Sequence, residues 1–261
     1  MRAIGFIMLM LLGVGLGFVA ILLANRDLGQ SDRPTWAVDV DLAFSAAHVE
    51  RRSLGKGWAD PEAQQTWAKD REATVFVNLL GDARGDVALF MEGRSRSAGG
   101  RDNGRVTVLV NGEDMGAWQL GGGGREELAG ITIPVGRVND ERPLRLTFRS
   151  ERPILGLRRI VLRDVSSLSE YAGFVDVCQP TLISGWARAG LLAAPVGMRR
   201  NGAILKPIAF RNVTRPDLPP HGIPAEAGFE LIVPPPSASD GATEVLFPNG
   251  RPLRNAPCRP S

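Results

Sequence analysis

The sequence predicts an all-β body, two antiparallel β-sandwich (jelly-roll-like) domains, behind one N-terminal transmembrane helix. Three observations predict it. A run of 22 residues from Ala3 to Ala24 carries no charge. Gly and Pro are abundant, at 31 and 19 of 261 residues, which favours short strands joined by turns over a helical bundle. Finally, a series of short segments alternates apolar with polar residues between turn signals, the period-2 pattern of half-buried strands.

The apolar run comes first in the chain. About 20 apolar residues span a bilayer core, and a helix is the single-segment structure that satisfies its own backbone in lipid. The run exceeds the roughly 7–15 residues of a signal-peptide core, and no small-x-small cleavage site precedes Asn25-Arg26-Asp27. It therefore reads as an uncleaved signal-anchor whose partner is the lipid bilayer. Arg2 and the α-amine are the positive charges before it, and Arg26 and Asp27 cancel after it. That bias places the N-terminus in the cytoplasm and the body outside, as a single-pass protein.

The expected domains are the anchor, 1–24, a polar linker, 25–34, a first sandwich, 35–167, and a second, smaller sandwich, 168–261. In the first, strand patterns fall at 73–79, 86–91, 105–110, 115–120, 130–134, 144–148 and 157–162. Asn111-Gly112 is a hairpin signal, because both residues tolerate positive φ. Pro61 to Lys69 reads as a turn or two of helix. Ser166 to Glu170 is a connector. In the second sandwich the patterns fall at 181–187, 196–200, 203–205, 228–233 and 244–247, with Asn201-Gly202 as a further hairpin turn and Pro234-Pro235-Pro236 ending a strand.

Composition excludes several function classes. Lys+Arg number 31 and Asp+Glu 28, a net charge of +3 spread along the chain. No basic stripe or known motif marks a nucleic-acid binder. Gly121 to Gly124 lacks the Gly-Lys-Ser/Thr ending and following helix of a phosphate-binding loop. Histidine occurs twice, at His48 and His221, and cysteine twice, at Cys178 and Cys258. Neither type stands at metal-ligand spacing, so no metal and no cofactor is expected. In an exported body the two cysteines form one disulfide, tying the start of the second domain to the chain's end; two unpaired thiols are the alternative.

The second domain carries a recognisable order of residues: Gly173 and Asp176; Ile183, Gly185, Trp186 and Ala187; Asn201 and Gly202; Arg215, Pro216, Asp217 and Leu218; Gly222; Gly228 and Phe229. This order resembles a β-sandwich, carbohydrate-binding-like module attached to bacterial glycosyltransferases and other envelope polysaccharide proteins. Arg188 stands where that pattern has an acidic residue. The first domain resembles a second module of the same neighbourhood through Gly57-Trp58, Pro61-Glu62, Trp67, the strand ending at Gly112, Trp118 and Leu155-Gly156-Leu157. The resemblance implies tandem β-sandwiches with a link to glycans and, with the charge bias, a single-pass inner-membrane protein whose body is periplasmic.

Trp58, Glu62 and Trp67 are the candidate ligand-binding residues. An aromatic face stacks on sugar C–H surfaces, and a carboxylate accepts hydroxyl hydrogen bonds; the alternative is that both indoles are core. Arg215 and Asp217 are expected to brace the Pro216 loop as a structural pair. No Gly-x-Ser-x-Gly motif occurs, and two histidines assemble no convincing triad, so no enzyme is expected. The expectation is a non-enzymatic, membrane-anchored envelope protein that binds glycan or is accessory to a polysaccharide-handling assembly. Its rival is a structural subunit that docks on an integral membrane protein complex.

Overall fold

In the computed structural model, residues 35–36, 40–79, 81–96, 104–121, 124, 126–140, 143–190 and 192–258 are described. The expected membrane helix, Ala3 to Ala24, and the linker at 25–34 lie outside them. Among the described residues no helix is long and apolar enough to cross a membrane.

The strands in chain order are β1 (Thr35–Trp36), β2 (Val40–Ala43), β3 (Thr66–Trp67), β4 (Glu72–Leu79), β5 (Val87–Ser95), β6 (Gly104–Val110), β7 (Glu113–Leu120), β8 (Glu127–Ile133), β9 (Leu144–Arg149) and β10 (Leu155–Asp164). They continue as β11 (Tyr171–Cys178), β12 (Leu182–Ala189), β13 (Leu192–Ala193), β14 (Gly197–Arg200), β15 (Ala203–Ile204), β16 (Ala209–Val213), β17 (Gly228–Ile232) and β18 (Thr243–Leu246). One short helix, Val135–Asp140, joins β8 to β9. The body is therefore mostly β, in several largely antiparallel sheets.

Alternation decides which residues face inward. In β12 the buried positions are Ile183, Gly185, Ala187 and Ala189, every second residue. A long sheet runs β1-β4-β9-β6-β7-β16-β17-β12-β11, with β13 paired to β12. Among the described residues there are also a second sheet, β2-β10-β5-β8 with β3 on β10, and a third, β15-β14-β18. Val75, Val108, Leu146 and Phe148 of the long sheet share one apolar cluster with Leu89, Met91, Leu157 and Ile160 of the second sheet. The same cluster continues through Ile183, Phe229 and Leu231 to Met198 and Val245 of the third sheet and to Phe247, just past the end of β18. This is sandwich-like packing in which alternate residues fill the gap between sheets.

Thr35–Ser261 is one compact unit. The long sheet crosses the 167/168 boundary where β16 pairs with β7 in parallel, Phe210 opposite Trp118. A smaller cluster of Ala88, Phe90, Val165, Ala193, Leu218 and Ala227, with Trp186 packed against it, seals the other face of β5 against the later chain. Trp186 thus lies on the face of β12 opposite Ile183 and Ala187. Both hairpin signals turn as expected: Asn111 and Gly112 have φ of 49° and 88°, Asn201 and Gly202 of 52° and 77°. The helical turn expected over Pro61 to Lys69 does not form. Thr66 and Trp67 are instead drawn into β3 by pairing with Leu157 and Gly156, because backbone pairing along β10 outweighs the weak local preference.

The chain's end lies along two strand edges. Val175 donates to the Arg254 carbonyl at 3.0 Å and Arg254 to Gly173 at 3.2 Å, which covers β11. Thr243 and Cys258 exchange backbone bonds of 2.8 and 2.7 Å, which covers the start of β18. Unpaired edges template aggregation, so such a strap is protective. Cys178 at the end of β11 and Cys258 are joined as a disulfide, Cα atoms 5.5 Å apart and 80 positions apart in sequence.

Closing so long a loop restricts the unfolded chain. Replacing both cysteines by alanine is expected to cost about 2–5 kcal/mol, read as a lower midpoint in urea unfolding. Reductant should lower the wild-type midpoint and leave the double variant's unchanged. An unchanged wild-type midpoint under reductant would show that the strap holds without the bond.

Candidate functional site

The segment carrying the predicted ligand residues folds back on β4. Gly55 donates to the Thr74 carbonyl at 2.7 Å, and Thr74 to that of Lys56 at 3.0 Å. Gly57, at φ +87°, lies where a side chain would meet the Glu72 carbonyl at 2.0 Å. This tight crossing drives Trp58 inward. Its indole N–H donates to the Thr74 carbonyl at 2.7 Å, its ring meets Phe148 edge-on at 6.0 Å, and it is 6% exposed.

Trp67, 9% exposed, serves another surface. Gly156 sits between Leu155 and Leu157, both buried in the main core, so its missing side chain would stand on the opposite face of β10. There the Trp67 ring occupies the space, with atoms 2.7–2.9 Å from where a Cβ would be. An aromatic ring laid over a cross-strand glycine replaces the packing that the glycine lacks. Over the same ring stand two guanidiniums, Arg96 at 4.6 Å and Arg94 at 5.5 Å from its centroid. Glu62 is exposed; its backbone accepts from Ala46 at 2.8 Å and donates to Gln65 at 2.7 Å. The structure does not assemble the three residues into one sugar platform, since a stacking platform needs an open aromatic face and both indoles are covered.

The second candidate group is an ionic brace. Arg215 donates from Nε and Nη2 to the two carboxylate oxygens of Asp217 at 2.8 and 2.7 Å, and from Nη1 to Asp176 at 2.6 Å. Its stem crosses Gly228, where a Cβ would lie 2.7 Å from Arg215 Cγ and 2.2 Å from the Val213 carbonyl. Asp176, 39 positions away in sequence, completes the group and ties the Pro216 loop to β11. The hydrogen bonds from Arg215 hold the Asp217 carboxyl down at about 2, below its usual 3.8, and the two carboxylates raise the arginine's own pKa. Bidentate geometry makes this the strong form of a charged hydrogen bond, although solvent around Asp217 screens its energetic weight.

A third group lies under the Pro234–Asp240 loop. Arg200 is buried and donates to Thr243 Oγ1 at 2.9 Å, to the Pro234 carbonyl at 3.2 Å and to Asp240 at 3.4 Å. Asp240 also accepts from the Ser237 backbone at 2.8 Å and from Asn201 at 3.2 Å. The Ser237 backbone bond leads the causes that lower its pKa. A buried cation is tolerable when its donors are satisfied in this way. Arg200, Pro236 and the Cys178–Cys258 pair line one small depression. Among the described residues, no group of three or more His, Cys, Asp or Glu is placed to hold a metal.

Reasoning from sequence missed Arg94, Arg96, Asp176 and Arg200. For Asp176 the signal was its place in the motif; for Arg94 and Arg96 it was the run Arg94-Ser95-Arg96, and Arg200 carried none.

Trp58→Ala empties a large core site and is expected to lower stability by about 3–5 kcal/mol, measured by urea denaturation. An unchanged midpoint would mean that the ring is not core. The Asp217 pair gives a pH signature. Its carboxyl is depressed in the folded state, so its contribution is fully present above about pH 3.8 and is lost as pH falls toward about 2. Between those values the wild type should lose more stability than Asp217→Asn, in acid melts of both proteins. Parallel curves would refute the brace.

Neither a comparison with protein-family models nor one with curated proteins finds a match to this chain.

Proposed function

We propose that this chain is a membrane-anchored accessory protein of the cell envelope. It acts by binding and not by catalysis, and serves a polysaccharide-handling assembly from the non-cytoplasmic side. In this reading the two jelly-roll-like parts, 35–167 and 168–261, share one long sheet and form a single body held to the bilayer by residues 3–24.

The observation that carries the reading is the Cys178–Cys258 disulfide. Such bonds persist in oxidising compartments and are rare in the cytosol. Together with the uncharged 22-residue run ahead of the body, it supports export with retention at the membrane. The glycan link rests on the resemblance of the Gly173-to-Phe229 pattern to envelope polysaccharide modules. With Trp58 and Trp67 covered, recognition would fall to charged and hydrogen-bonding groups rather than to open aromatic platforms.

One observation favours a second reading, a structural subunit docked on an integral membrane complex. Ile208 and Ile232 are 38% and 42% exposed and adjacent, Ile208 donating to the Ile232 carbonyl at 2.7 Å. Ile204 nearby in the chain is 80% exposed. Exposed apolar groups that lie together mark contact surfaces for proteins.

Protease added to intact spheroplasts is expected to degrade the body, and the intact mass of the mature chain should retain residues 3–24. Protection in spheroplasts with cleavage only in inverted vesicles would reverse the orientation. A mature N-terminus beyond Ala24 would remove the anchor. Mild-detergent pull-down then separates the two readings by whether polysaccharide-handling proteins or an unrelated membrane complex is recovered.

A further inference from the structure

Two arginines of the second sheet are neutralised. Arg158 contacts both Glu92 and Glu126, and Arg159 binds Asp41 through both carboxylate oxygens. Arg94 and Arg96 differ. Among the described residues neither has a carboxylate partner, and Arg94 Nε is buried with no hydrogen-bond acceptor at all. Yet both are held in place. Arg94 stands opposite Gly156 in the β5–β10 ladder, and the Arg96 backbone donates to the Ile154 carbonyl at 2.8 Å. Both guanidiniums lie over the Trp67 ring, which is itself fixed over Gly156.

Two like charges on one ring repel, and the cation–π attraction of each offsets only part of that. An anion between them removes the repulsion and supplies an acceptor for the guanidinium hydrogens. Guanidinium groups are planar and weakly hydrated, and their paired donors match a carboxylate.

We infer that Arg94, Arg96 and Trp67 form an anion clamp that takes the carboxylate of an acidic saccharide. Trp67 is the positioning residue: it holds the two guanidiniums open for the ligand and does not touch the sugar face. A membrane surface is the poorer match. Attraction to anionic lipid needs clusters of about 4–8 uncompensated cations, whereas the neighbours of this pair, Arg158 and Arg159, are already neutralised. The inference rests on the glycan reading above and specifies its substrate class.

Isothermal titration of the full chain in detergent tests it. The probes are oligogalacturonate, its fully methyl-esterified form and glycerol phosphate, the last standing in for a lipid headgroup. The acid form should bind, and esterification should weaken binding about tenfold or more, the scale of one charged hydrogen bond. Arg94→Gln and Arg96→Gln should each cause a similar loss, while Arg158→Gln, at a neutralised neighbour, should not. Added salt should weaken the acid form selectively. Arg96 is exposed, so its variant keeps the test valid if Arg94→Gln folds poorly; thermal melts decide that point.

Equal binding of acid and ester, unaffected by both substitutions, overturns the clamp but leaves glycan binding standing. Binding of glycerol phosphate alone, lost on the same substitutions, overturns the saccharide assignment in favour of a headgroup. No binding of any probe overturns the clamp, and the pull-down then decides the accessory role independently.

Discussion

Trp118 is the residue on which the rest of the body depends. It is fully buried, and its strand joins two halves of the chain. On one side it pairs with Val106 of β6; on the other it stands opposite Phe210 of β16. The tip of its ring reaches across the gap to the second sheet, where a Cβ on Gly93 would lie 2.9 Å from it. One side chain thus fixes the spacing of the two sheets at the place where the long sheet passes from early to late sequence. The close packing of protein interiors leaves no slack for a larger residue at 93 or a smaller one at 118.

The same device recurs. Trp67 lies over Gly156 and Phe247 over Gly173. Aromatic rings paired with glycines bring backbones close and fill the space left by the absent side chain. This explains why a chain with abundant glycine still builds a dense core. It also assigns Trp118 and Trp67 a structural task, because a ring that fills a glycine's hollow has little face left for a ligand. Trp67 fills the hollow of Gly156 and also has the guanidiniums of Arg94 and Arg96 over its ring.

Charge follows a parallel logic. Arg215, Arg200 and Arg159 are each satisfied by carboxylates or backbone oxygens, and each pair ties segments distant in sequence. Arg215 links the loop after β16 to β11, and Arg200 links β14 to the proline loop. These pairs act as fasteners. The guanidiniums of Arg94 and Arg96 differ from these fasteners: among the described residues they meet an aromatic ring and no carboxylate.

Much of the architecture was legible in the residues. Alternation found most of the long strands, and Asn-Gly located both hairpins, since φ preference is a local property. The Arg215–Asp217 pair was legible because its members are two residues apart. The short strands β1, β2, β3 and β16 were not, because their extended state comes from pairing partners far along the chain. The sequence by itself determined the all-β class, the turns and the two cysteines. Only the tertiary structure decided that β7 and β16 join the halves into one long sheet, that Trp58 and Trp67 turn away from solvent, and that Arg94 and Arg96 converge on one ring. These outcomes depend on which strand edges meet and which faces are covered, and local chemistry carries no record of either.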